Sequence, residues 1–155
     1  MSNYGYSFGD HIWTLNIKFL EQVNLINVEQ SGIMIIGIVN KKNTSSTMHK
    51  VIGSILNYTL TGGDIRVKVY LDTSKRQMTV FSSIRPEGEV FTELPKEGIF
   101  YPAIQNKNQK FNNSARLLVS FNFDVKVPLD KTQIALKDYH EDSLMSSKYN
   151  PLSTD

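Results

Sequence analysis

The residues that could do chemistry in this chain are few. Gly5-Tyr6-Ser7-Phe8-Gly9 has the Gly-x-Ser-x-Gly pattern of a hydrolase nucleophile elbow. That device needs a strand before it and a helix after it, so that a strained turn exposes the serine hydroxyl. Here the pattern opens the chain and runs into a strand, so its glycines read as a flexible lead over residues 1–9. His11, His49 and His140 lack the close pairing of metal ligands, and cysteine is absent. His11 reads as a strand-start residue and Glu141-Asp142 as solvated surface. No acid, base, nucleophile and metal set converges in the sequence, so no catalytic residue, no metal and no cofactor is expected.

Other residues are suited to gripping a partner. Aromatic and arginine side chains on loops supply anchoring energy, a few of them carrying most of it. The candidates are Tyr58, Arg85, Pro86 and Tyr101. Lys41-Lys42 opens, and His49-Lys50 closes, a polar stretch that could meet an acidic partner or simply be solvated. Pro86 also has a plain explanation, because proline presets the backbone angle of a turn. Trp13 could be a stacking platform, but its alternation with Leu15 and Ile17 points it inward. Tyr70 and Phe81 fall on the outer phase of a hairpin. They would pack on a second sheet or the tail, or, with Arg66 and Lys68, offer a platform to nucleic-acid bases.

These residues must be positioned by strands. Between Gly63 and Phe81, Ile65, Val67, Val69 and Leu71 alternate with polar residues, Asp72-Thr73-Ser74-Lys75 turns, and Met78 and Val80 resume the alternation: an antiparallel hairpin. Trp13 to Phe19 is a half-buried strand, and Ile33 to Val39, apolar on both faces, is a central one with Gly37 at a close approach or bulge. Asn40 to Lys50 is a polar loop, and Ser54 to Thr59 is a short strand before the Gly62-Gly63 turn. Val90-Phe91 before Leu94-Pro95 is a short edge element, and Ile99 to Ile104, with Pro102, a strand at an edge or bulge. Gln105 to Ser114 is a polar loop, and Ala115 to Phe123 is the last strand of the body. From Asp124 the pattern changes. Val127-Pro128-Leu129-Asp130 breaks the strand, 132–145 has weak helical spacing, and 146–155 reads as disordered. Many short strands with turn signals between them predict an all-β, antiparallel β-sandwich.

Composition sets the outer limits. At 155 residues one domain is expected, with 40% apolar and 21% charged residues. A net charge of +2 does not favour a nucleic-acid partner or an anionic membrane. No apolar run approaches the roughly 20 residues of a membrane span. The first ten residues lack the features of a secretion signal, so a cytoplasmic location is expected and the sequons at Asn43, Asn57 and Asn112 read as chance.

Three stretches, in order, resemble the SPRY domain family. They are Gly9-Asp10-His11-Ile12-Trp13-Thr14-Leu15; Gly63-Asp64 with the strand to Leu71-Asp72 and its hairpin partner; and Phe91-Thr92-Glu93-Leu94-Pro95 with Tyr101-Pro102-Ala103-Ile104, ahead of Leu118 to Phe123. Together they span 10–123, followed by a tail over 124–155. Thr14 stands where the family usually has glutamate, and Ser83 to Gly88 replaces its usual asparagine-glycine turn. The resemblance implies a bent sandwich of concanavalin-like, jelly-roll type, with an irregular or weakly helical tail. It also implies a non-catalytic module that holds a peptide or partner subunit with its sandwich-end loops, as an adaptor, a scaffold or the target-recognition part of a ubiquitin ligase. A structural subunit of a large assembly, a carbohydrate-binding lectin-like domain and a single-stranded nucleic-acid binder are the other readings the same architecture admits.

Overall fold

The computed structural model describes residues 4–20, 31–41, 50–59, 64–107, 116–131 and 134. Within them the chain is an all-β sandwich of eight strands: β1 (Asp10–Leu20), β2 (Ser31–Lys41), β3 (Ile52–Thr59), β4 (Ile65–Asp72), β5 (Gln77–Ser82), β6 (Glu89–Phe91), β7 (Ile99–Asn106) and β8 (Arg116–Val125). Five strands form one sheet in the order β6-β5-β4-β1-β8, and three form the other in the order β3-β2-β7. Every pairing is antiparallel.

The period-two pattern decides what lies between the sheets. Trp13, Leu15 and Ile17 of β1, Val67, Val69 and Leu71 of β4, and Met78 and Val80 of β5 are all buried. They meet Met34, Ile36 and Ile38 of β2, Leu56 and Tyr58 of β3 and Phe100 of β7 in one cluster. The expected central strand, hairpin and edge elements are all present. β2 lies between β3 and β7, β4 and β5 pair across the Thr73–Arg76 turn, and Pro102 sits in edge strand β7. That last strand is longer than expected, since Gln105 and Asn106 belong to β7 rather than to a loop.

β2 needs apolar residues on both faces because a second small cluster lies outside the sandwich. Ile35 and Val39 pack there with Val51 and Ala103. On that face Gly37 stands opposite Gly53 on one side and Ala103 on the other. A Cβ on Gly37 would fall 2.0 Å from the Ile52 carbonyl oxygen, and one on Gly53 as close to that of Ile36. Backbone meets backbone there, so neither glycine can carry a side chain unless the strands part.

A third cluster covers the outer side of the larger sheet. β8 carries one extra residue relative to β1, because Thr14 faces Asn122 while Ile12 faces Val125. The bulge reverses the alternation and brings Val125 to the same side as Ile12. The chain then returns across that side, and Ile12, Phe81 and Ile134 bury one another with Tyr70, Val125 and Val127 around them. Phe81 is only 3% exposed, so of the two readings of Tyr70 and Phe81 the packing one holds and the open platform for bases does not. Lys68, on the same phase, is buried too. Residues 4–9 are laid down rather than free-standing: Tyr6 and Phe100 exchange backbone hydrogen bonds of 2.8 and 2.9 Å. Of the loop expected over Asn40 to Lys50, Asn40 and Lys41 belong to β2 instead, and 42–49 lie outside the described residues, as do all of 132–145 but Ile134 and all of 146–155.

Replacing Gly37 with alanine is expected to lower stability by about 1–3 kcal/mol through overpacking at the β2–β3 contact, read as a lower denaturant midpoint with an unchanged slope.

Candidate functional site

The residues singled out as partner anchors separate into three places. Tyr58 is in the core, only 3% exposed, with its ring lying over Gly32, where a Cβ would come within 2.4 Å of the ring. Its hydroxyl donates to Asn106 Oδ1 at 3.1 Å. Burial pushes the phenol pKa up, and the Asn106 hydrogen bond only partly offsets it. Tyr58 is thus a core residue and not an exposed anchor, because its inward phase in β3 points the ring between the sheets.

Arg85 and Pro86 occupy the turn between β5 and β6, with Pro86 exposed. The Arg85 carbonyl accepts from the Ser82 N–H at 3.2 Å and the Gly88 N–H at 3.1 Å, and its own N–H donates to Ser82 Oγ at 2.9 Å. Gly88 has φ +88°, the left-handed region that favours glycine. The Arg85 guanidinium pairs with Glu89 Oε2 at 2.5 Å, and Ser54 Oγ of β3 donates to the same oxygen at 2.5 Å. Arg85, Glu89 and Ser54 therefore clasp the two sheets together along one side. The clasp has a faint signature in sequence, an arginine and a glutamate four apart across a turn, but nothing there marks Ser54 as their partner.

Tyr101 and Lys41 do come together. Both lie on the outer phase of the smaller sheet, Tyr101 opposite Val39 and Lys41 opposite Ile99. Lys41 is exposed, Tyr101 is half-buried, and Ile99 between them is 39% exposed. Ile33 and Ile55, 42% and 53% exposed, lie on the same phase at the other end of the sheet, beyond buried Val39 and Ile35. Lys42 lies outside the described residues, as does most of each polar loop.

The groups with chemical potential are held in structural contacts. Ser7 sits in a bend that runs directly into β1, without the helix that a nucleophile elbow requires. His11 stacks on Tyr6 with ring centres 3.9 Å apart, and its Nε2 lies 2.6 Å from the Phe8 carbonyl oxygen. Among the described residues no three His, Asp or Glu side chains gather as metal ligands would.

One polar cluster has no signature in the sequence. Lys131, in the segment returning after β8, pairs with Asp10 at the start of β1. That hydrogen bond, opposed by partial desolvation and aided by Tyr70, raises the lysine pKa. The Tyr70 hydroxyl is pushed up by burial and by the carboxylates of Asp10 and Asp72, so it stays protonated at neutral pH. Asp72 is buried, which opposes its charge. Hydrogen bonds from Ser74 Oγ at 2.7 Å and the Lys75 N–H at 3.1 Å, with the charges of Lys131 and Lys75, outweigh this and hold its pKa below the ordinary 3.8.

Two outcomes follow for stability. A carboxyl held lower in the folded chain than in the unfolded one stabilises the fold above its unfolded pKa, and this is lost as the pH falls through the folded value. Wild-type stability should therefore fall on acidification below about 3.8, and that of Asp72→Asn should fall less, both read as urea midpoints across pH. In the clasp, Glu89→Ala should cost about 1–3 kcal/mol because it leaves the buried Ser54 hydroxyl without its acceptor. Arg85→Ala removes a half-exposed ion pair and should cost no more than about 1 kcal/mol. Scanned against models of protein families and against curated proteins, the chain matches none.

Proposed function

We propose that this chain is a non-catalytic protein-interaction module, an all-β sandwich of SPRY type that binds a peptide or partner subunit. The observation that carries this reading is one end of the outer face of the smaller sheet, where Lys41 and Ile99 stay exposed beside half-buried Tyr101. An exposed apolar side chain among polar neighbours on a flat sheet face suits a protein partner better than a small molecule. A tyrosine and a lysine at its margin give such a surface an anchor and a preference for acidic groups.

The non-catalytic part of the reading rests on where the reactive groups are. His11, Arg85 and Glu89 are each engaged with a neighbouring structural group, and Asp10, Asp72, Lys131 and Tyr70 are occupied with one another where the returning segment meets β1 and β4. In an adaptor, a scaffold or the recognition half of a ubiquitin ligase, such a domain would select its target by surface alone.

Proximity capture from native extract, read by mass spectrometry, tests the proposal with two variants. Tyr101→Ala and Lys41→Glu should each reduce recovery of the captured partner at least fivefold, with unchanged circular dichroism. Pro86→Ala, on a turn away from this face, should leave recovery intact. Equal recovery by all of them would remove the face from the binding reading.

A further inference from the structure

The four sheet margins of this sandwich are not treated alike. A strand at a sheet margin presents unpaired N–H and C=O groups, and soluble proteins blunt it with shortness, proline, charge, a bulge or a cover. β6 is three residues long and is followed by Pro95. β7 contains Pro102, and Tyr6 occupies the backbone groups of Phe100. β8 carries the bulge opposite β1. β3 reads IGSILNYT over eight residues, with no proline and no charge. Its register with β2 runs unbroken from Ser31↔Thr59 to Ile38↔Ile52. Among the described residues, no other strand pairs with its far side.

The groups offered at that margin can be named. Phe100 gives its N–H and C=O to Tyr6, so opposite Asn40 it does not bond to β2. In an antiparallel ladder bonded and non-bonded pairs alternate, so the even residues of β2 turn toward β3 and the odd ones toward β7. The Lys107 N–H donating to the Ile33 carbonyl at 2.8 Å follows the same phase. Ile36 and Met34 thus bond to Ser54 and Leu56, and Gly53, Ile55 and Asn57 point their N–H and C=O groups away from the sheet. The side chains of Ile55 and Asn57 lie on the outer face, where Ile55 is 53% exposed.

We propose that β3 pairs with β3 of a second copy of this chain, antiparallel, about a two-fold axis through Ile55. The free groups on odd residues set the phase, and an axis through Ile55 engages all three: Ile55 bonds with its counterpart, and Gly53 with Asn57 of the other copy. A strand without charge places no like charges opposite one another, which is what self-pairing requires and what the other margins avoid. The two small sheets become one six-stranded sheet, and each exposed Ile55 is covered by the other. The pairing uses the margin and not the Lys41–Tyr101 end of the face, so it stands or falls apart from the partner-binding reading.

Sedimentation equilibrium of the full chain tests it, with circular dichroism as the check on folding. The wild type should show a concentration-dependent species of twice 17.6 kDa. Asn57→Pro removes an N–H that points outward, not one bonded to β2, so the fold tolerates it as it tolerates Pro102. Ile55→Lys places like charges face to face. Each should weaken dimerisation at least tenfold, while Ser120→Lys on β8 should not. A wild type that stays monomeric at hundreds of micromolar, or a dimer that survives both variants, would overturn the proposal.

Discussion

Everything in this molecule depends on one dry layer, the contact of Trp13, Val69 and Leu71 with Ile36, Ile38 and Phe100. Sheets bind face to face only through side chains of one phase, so each strand that contributes to the layer is committed to one register. A slip of one residue in β4 would put Arg66 and Lys68 between the sheets and send Val67 and Val69 outward. The apolar patterning that forms the core therefore also fixes which residues are presented outside it.

The architecture was open to reading because its signal is periodic. Residues such as Val67, Val69 and Leu71, or Trp13, Leu15 and Ile17, repeat at the spacing of a pleated strand, and each repeat reinforces the last. Ile33 to Val39 announced a central strand by being apolar on both faces, and Pro102 announced an edge because it cannot donate to a ladder. What stayed hidden is what depends on one residue meeting another far along the chain. Lys131 reaching Asp10 and Ser54 reaching Glu89 follow from how strands stack, and neither residue stands out among its sequence neighbours. Tyr58 shows the same limit from the other side. Its phase with Leu56 points the ring inward, and Gly32 opposite leaves room for it, but an aromatic residue near a predicted strand end does not by itself show which face it takes.

The outer faces show two ways of treating surplus apolar surface. On the larger sheet, Ile12, Tyr70 and Phe81 are covered by the chain itself, returning after the β8 bulge. On the smaller sheet Ile35, Val39, Val51 and Ala103 bury one another around the Gly37–Gly53 contact, while Ile33, Ile55 and Ile99 remain in part exposed. The first arrangement adds stability, and the second leaves a surface for use. Both come from the same alternation.

The central place of β1 in the larger sheet sets the order of assembly. It pairs on one side with β4 and on the other with β8, so Ile12 lies beside Val125, more than a hundred positions away. A nascent chain can close the β4–β5 hairpin early, but the first strand made must wait with one flank open until nearly the last has been synthesised. Pairings between such distant segments are slow to find and leave sticky intermediates while they are sought. Folding speed in the cell, rather than final stability, is the property this topology puts under most pressure.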